Sequence, residues 1–321
     1  MKIIKIISML LIICLAFAGC AAEIPREPDA PLQIAALRGA TAMGMVELIA
    51  NADPEEYSFA ISTTDELIPR LARGEVDIAA IPANLAAVIH RNTQGAYRVA
   101  AINTLGVLYT VERGDTIRSA ADLRGRTVYA IGKSAIPEFT VSFVLAANGI
   151  DPVTGLSLEY KSEAAEVIPL LAQNPGSIAV LQQPFVTVAL ERIPDLRIAM
   201  DWTHEWELVS GGGSTLITGV LIARTELLEQ NPRAVRDFLN AYQLSTRFVN
   251  ENPSQAAVWI EEHGIVSAQI AEKAIPACNI TYIDGGEMKR ILSGFLAVLY
   301  EQDPQSVGGG LPGDDFYWLG D

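Results

Sequence analysis

From residue 32 onward the chain alternates short apolar runs with segments of helical spacing, and no other property narrows its fold as much. "LQIAAL" (32–37) leads through the small-residue loop "RGATAMG" into the helical "MGMVELIANA". "YSFAIST" (57–63) leads into "TDELIPRLARGE", whose Leu67, Ile68 and Leu71 share one helical face between a Thr-Asp cap and a stop at Gly74. "VDIAAIP" (76–82) and "ANLAAVIHR" repeat the step, and "YRVAAINTLGVLYTVER" (97–113) reads as one long extended stretch. Apolar runs such as "IAAI" within "VDIAAIP" predict strands covered on both faces. The alternation therefore predicts an α/β fold in which mostly parallel sheets are flanked by helices.

A second unit opens with "SAADLRGRTVYAIG" (119–132), followed by the loop "GKSAIPEF" (132–139) and a helix to Asn148-Gly149. "LSLEY", "AAEVIPLLAQ", "SIAVLQQPF" and "VTVALERIP" continue the pattern, and "LRIAMDWTHEW" reads as a last strand running into a loop. "GGGSTLITGVLIAR" (211–224) is a glycine-rich entry to one more strand, after which the chain reads as mainly helical up to a loose tail, "GGGLPGDDFYWLGD". Two α/β units in one chain place a crevice between them.

The first thirty residues have a different character. Lys2 and Lys5, an apolar stretch from Ile6 to Phe17, and Ala18-Gly19 before Cys20 form the three-part layout of an export signal. The apolar stretch is shorter than the ~20 residues a permanent membrane helix needs. Small residues directly before a cysteine resemble the lipobox of bacterial lipoproteins, which makes Cys20 the expected acylated N-terminus; the alternative is an ordinary signal whose cysteine merely sits near the cut. Residues 20–30 read as a semi-extended tether, the stretch 21–31 holding three prolines and mixed charges with no apolar period.

Lys and Arg number 23 against 38 Asp and Glu, a formal charge of −15, which argues against nucleic acid or an anionic membrane surface as partner. Of the three cysteines, Cys14 leaves with the signal and Cys20 is expected to be acylated, so Cys278 stands alone without a disulfide. The three histidines, His90, His204 and His263, are scattered over helix, loop and helix. The sequence holds no H-E-x-x-H, C-x-x-C, G-x-S-x-G or phosphate-loop motif, and "GGGS" (211–214) enters a strand rather than a helix. With no catalytic constellation, no metal site and no cofactor motif, binding is the expected role.

In open α/β sheets ligands sit beyond the carboxyl ends of the strands. Four loops have that address. In "RGATAMG", Gly39 and Gly44 allow close backbone approach, Arg38 or Thr41 can bond a polar group, and Met43 can pack on an apolar one; a plain turn with a surface Arg is the alternative. In "PAN", Asn84 either lines the crevice or caps its helix. In "GKSAIPEF", Gly132, Lys133 and Ser134 before a helix suit an anion; a capping Ser with an exposed Lys is the alternative. In "LQQPF", Gln182 and Gln183 offer amides, with one of the two facing solvent. Trp202 and Trp206 in "DWTHEW" either stack on a ligand ring or fill a core.

The phrases "ARGEVDIAAIPAN", "SAADLRGRTVYAIGKSA", "LQQPFVTVAL" and "GVLIARTELLEQNPRAVRDFLNAY" resemble those of the solute-binding lipoproteins of ABC importers with the type II periplasmic-binding fold, in the group that binds sulfonates, nitrate, taurine and thiamine precursors. The resemblance implies two lobes, residues 31–110 plus 217–321 and residues 111–216, joined by crossing strands near Leu105–Val111 and Leu216–Leu221. It implies closure on a small-molecule ligand, docking on a permease with its ATPase, and an extracytoplasmic, lipid-anchored location. Arg38, Thr41 and Asn84 would contact the ligand from the first lobe and Lys133, Ser134 and Gln183 from the second, with Gly39, Met43, Trp206 and Thr218 completing the expected set. The loops are rich in Ala, Met, Ile and Thr and poor in cations, so a small solute with one polar or anionic end is expected. A heteroaromatic vitamin precursor stacked near Trp202 or Trp206 is the second choice. A cofactor-pathway enzyme on the same fold is opposed by the export signal, and a ligand sensor would differ only in its partner.

Overall fold

A computed structural model describes residues 30–320. The signal, Cys20 and nearly all of the tether lie outside the described residues. The strands are β1 (Leu32–Leu37), β2 (Tyr57–Ser62), β3 (Ile78–Pro82), β4 (Tyr97–Leu105), β5 (Leu108–Glu112), β6 (Thr127–Ala130), β7 (Ser157–Tyr160), β8 (Ile178–Gln182), β9 (Arg197–Asp201), β10 (Ile217–Arg224) and β11 (Ile280–Asp284). They form a six-stranded sheet in the order β11-β4-β10-β3-β1-β2 and a five-stranded sheet in the order β7-β6-β8-β5-β9. The expected α/β fold of two sheets flanked by helices is what the chain adopts.

Each sheet is built around a parallel trio, β3-β1-β2 in the first and β8-β6-β7 in the second. The strands that carry the chain from one sheet to the other pair antiparallel: β10 and β4 in the first, β5 in the second. β3 and β5 are buried at almost every position, as strands covered on both faces must be.

The stretch expected as one extended element, 97–113, is two strands in two sheets, broken at Gly106-Val107. The break has a steric cause. A Cβ at Gly106 would lie 2.2 Å from the Thr203 hydroxyl and 2.8 Å from Leu216, so the chain passes between the sheets where only glycine fits. β5 lies entirely in the second sheet, so the change of sheet comes before residue 110.

"DWTHEW" is not a loop. Asp201 accepts a hydrogen bond from the Thr203 amide at 2.8 Å and caps a helix, Trp202–Ser210, that ends at the left-handed Gly211. "NITYID" forms β11 within what read as a helical region, taking its place beside β4 at the sheet edge. The tail is ordered as well: Tyr317 bridges to Val99, the Trp318 amide donates to the Val99 carbonyl at 2.8 Å, and Arg98 donates to the Tyr317 carbonyl at 2.8 Å.

The two sheets share one continuous apolar cluster on one side of the molecule. Trp206 of the second unit lies with its ring centroid 4.5 Å from Phe143 and 5.5 Å from Phe295, the latter on helix Gly285–Gln302 packed against the first sheet. On another side, helix Phe185–Arg192 meets helix Ala268–Ala274, with Glu191 2.6 Å from Lys273 and 3.3 Å from Gln269. Between these two contacts the sheets leave a cleft.

Candidate functional site

The cleft is assembled by strand register. β1 and β2 pair parallel with Leu37 beside Ser62, so the segments leaving them, Arg38-Gly39 and Thr63-Thr64, lie side by side. β3 pairs with the other edge of β1, and β10 places Gly219 beside Pro82, which brings Thr218 to the same end. In the second sheet Ala130 pairs with Val180, so the loops after β6 and β8 emerge together. All these loops leave the carboxyl ends of parallel strands, where such folds hold ligands.

Two chambers open there, of ≈ 380 and ≈ 390 Å³, and they share Thr64, Pro82, Val107, Gln182 and Thr218 as a common waist. Each is within the size range of small-molecule sites. The first, the Arg38 chamber, takes Arg38, Gly39 and Thr41 from the first unit and Gln183 from the second. The second, the Asn84 chamber, takes Asn84 and Leu85 from the first unit and Gly132, Ser134, Ile136 and Thr140 from the second. Both are therefore lined from both sheets.

Of the expected residues, Arg38, Gly39, Thr41, Asn84, Ser134, Gln183 and Thr218 line one chamber or the other. Thr41 is held by its hydroxyl, which donates to the Leu37 carbonyl at 2.9 Å, while its own carbonyl accepts from Asn103 at 3.1 Å. Thr41 approaches β10 closely because residue 219 is glycine: a Cβ there would lie 2.5 Å from the Thr41 methyl. Asn84 does not cap its helix, which runs over Ala83–Asn92 with Pro82 at the cap; its amide reaches the Ser306 carbonyl at 3.3 Å. The Gln183 carbonyl oxygen accepts from the Thr187 hydroxyl at 2.9 Å and amide at 3.3 Å, so this amide is locked within its own loop.

Three expectations fail on burial or position. Met43 is fully buried and its sulfur lies 3.7 Å from that of Cys278, so it fills the core beneath the cleft rather than facing it. Trp206 is fully buried, its indole N–H bonded to Ser214 at 3.3 Å, and Trp202 is equally buried with its N–H on Thr110 at 2.9 Å. Neither ring can stack on a solute. Lys133 is exposed and lines neither chamber.

The loop read as an anion site has a resident carboxylate. Helix Ile136–Ala147 carries Glu138 in its first turn, and the Ser134 amide donates to a Glu138 oxygen at 2.5 Å. One donor of that loop, the Ser134 amide, is therefore taken by the chain itself.

Sequence reasoning missed Thr63 and Thr64 as lining residues, while Gln182, offered together with Gln183, lines both chambers. Thr63 caps helix Thr64–Ala72 through a reciprocal box: the Thr63 amide donates to Glu66 at 2.9 Å. That bond from the backbone holds the Glu66 carboxyl below its usual range, and the Arg38 charge adds to the effect. The signal was present, since T-T-D-E before an apolar period is a capping-box phrase whose cap faces the end of a strand. Arg38 itself is exposed and donates to the Gly264 carbonyl. Cys278 is a buried thiol, pushed up to about 12 by burial, and has no reactive character.

A pair of α/β units with a cleft lined from both, at the carboxyl ends of their strands, defines the class: the two-lobed fold of periplasmic binding proteins. Residues 94–256, just over half of the chain, match the profile of the family described as NMT1/THI5 like, and the chain belongs to that family. Among solved structures it is similar to an ABC transporter protein from Parabacteroides distasonis, with 24% identity and a TM-score of 0.76 over 90% of this chain and 99% of that one. It is similar in fold to the periplasmic aliphatic sulphonate binding protein of Escherichia coli, with 16% identity and a TM-score of 0.71 over 91% and 92%. The periplasmic nitrate-binding protein of Synechocystis shares 13% identity at a TM-score of 0.55 over 81% and 75%. Among curated protein sequences none matches this chain. Among the described residues no helix is long and apolar enough to cross a membrane.

Proposed function

We propose that this protein is the extracytoplasmic solute-binding component of an ABC importer, anchored by a lipid on Cys20, which captures a small polar-headed organic solute by closing two lobes over it. The lobes are residues 31 to the Gly106-Val107 crossing plus 217–321, and the intervening segment. Its partners are the solute, a permease with its ATPase, and the membrane through the anchor. The observation that carries the reading is the pair of chambers lined from both sheets. A ligand that touches both units stabilises the closed arrangement by its differential contacts, whereas one held by a single unit would shift nothing.

The grip comes from hydroxyls and amides. Thr64, Gln182 and Thr218 stand at the waist where both chambers meet, so a bound solute passes between all three. Sulphonate and nitrate binding by proteins of the same fold supports capture as the role. The burial of both Trp202 and Trp206 removes the stacking platform that a heteroaromatic precursor was expected to use.

The test is whether solute stabilises the folded chain. Mass spectrometry of small molecules released on denaturing the purified chain, followed by thermal denaturation with each candidate, is expected to find one that raises the midpoint. At a hundredfold excess over its dissociation constant the gain is about 2.7 kcal/mol. Gln182→Ala is expected to remove most of that gain while leaving the unliganded midpoint nearly unchanged. A screen of amides, carboxylates, sulfonates, nitrate and pyrimidines that moves nothing would refute capture.

A further inference from the structure

The Asn84 chamber contains no charged side chain. Its walls are Leu85, Leu108, Ile136, Pro137 and Leu216, and its polar atoms belong to neutral groups such as Asn84, Ser134 and Gln182. Thr140 is spent within its helix, its hydroxyl donating to the Ile136 carbonyl at 2.7 Å. The Arg38 chamber has one cation, and that guanidinium is exposed, bonded to the Gly264 carbonyl and within reach of the Glu66 field. The loop bordering the Asn84 chamber carries two charges, neither of them lining a chamber: the exposed Lys133, and Glu138, which occupies the Ser134 amide at 2.5 Å. It enters none of the ion pairs among the described residues. Its charge is felt by the half-buried Tyr160, whose hydroxyl is pushed up by burial first and by Glu138 second.

An anionic solute entering the Asn84 chamber would lose hydration without meeting a buried cation, and would find the Ser134 amide already held by a carboxylate. Burying a charge without a partner costs far more than burying a neutral hydrogen-bonding group. We infer that the solute is uncharged, an apolar body with neutral hydrogen-bonding atoms, and that Glu138 is the specificity-determining residue that excludes anions by occupying the Ser134 amide. This rests on the cleft being a capture site and narrows what it captures.

The test uses the full chain and matched probes: hexanamide with hexanoate and hexanesulfonate, benzamide with benzoate, and nicotinamide with nicotinate, each titrated calorimetrically at neutral pH. The readout is the affinity ratio within each set. The amide is expected to bind at least ~10-fold tighter than its anionic partners, and Glu138→Gln is expected to narrow the ratio by ~10-fold through tighter anion binding. Anions binding the unaltered chain more tightly than the amides would overturn the inference and leave capture standing. A ratio that Glu138→Gln does not change would overturn the role given to Glu138. If no probe of either charge binds a chain shown by circular dichroism to be folded, the capture reading falls and takes the inference with it. Should Glu138→Gln not fold, the ratio in the unaltered chain decides the charge of the solute, and Glu138→Ala replaces it.

Discussion

Buried polar side chains in this fold are satisfied by partners both near and far in sequence. Glu112 shows the logic. Its carboxylate is buried in the second sheet, which by itself would raise its pKa, yet the Thr116 hydroxyl and amide, the Ile117 amide and the Arg197 guanidinium outweigh that and hold it low. Thr116 Oγ1 lies at 2.5 Å, and Arg197 at 2.5 Å also ties the Ile117 carbonyl at 2.7 Å. Glu112→Ala leaves those donors unpaired and is expected to cost about 3 kcal/mol in urea denaturation. Because the folded pKa is depressed, this stabilisation is complete above the unfolded carboxyl value of ~4.3 and is lost as pH falls through the lower folded value. Acid titration of the unaltered chain should therefore show a loss of stability below ~pH 4 that Glu112→Gln reduces. Legibility at this scale was uneven. Thr41 and Asn84 could be placed at the cleft because they follow strands, but Met43 could not be told from a lining residue. Met43 ends the short helix Ala40–Met43, and its direction depends on what packs beneath it, here Cys278.

Among elements, the central strands β3 and β8 were readable because burial on both faces leaves almost no polar position to interrupt the run. β11 was not, since its five residues at a sheet edge, mostly of intermediate burial, carry neither a strand nor a helix period. Helix Trp202–Ser210 was hidden for another reason: its cap, Asp201, is also the last residue of β9. One pair of elements suggests a mechanical role. Helix Phe185–Arg192 begins at the Gln183 loop of the cleft and is clasped to helix Ala268–Ala274 of the other unit through Glu191, Lys273 and Gln269. A clasp across the mouth favours the closed arrangement. It is an exposed ion pair worth no more than ~1 kcal/mol, so Glu191→Gln is expected to weaken solute affinity two- to fivefold at low salt. The difference between the two proteins should vanish in high salt, where the pair is screened. Equal affinities at low salt would show that the clasp does not report closure.

At the scale of the whole molecule, the cleft exists because two sheets meet at Gly106 and at β10, and because the apolar contact of Trp206 with Phe295 fills only one side. The lipid proposed on Cys20 would set where this happens. Cys20→Ala is expected to release the protein from the membrane fraction into the soluble one and to abolish incorporation of labelled palmitate; retention in the membrane would refute the lipid. The order of elements, the glycine at the crossing, the excess of carboxylates and the absence of a catalytic motif were all present in the chain as written. They are local properties, set by burial period, steric freedom and charge. Which loops converge, which tryptophans are sealed away, and that Glu138 turns back onto Ser134 were decided only on folding. Those facts depend on strand register and on contacts between residues far apart in the chain, which no local pattern encodes.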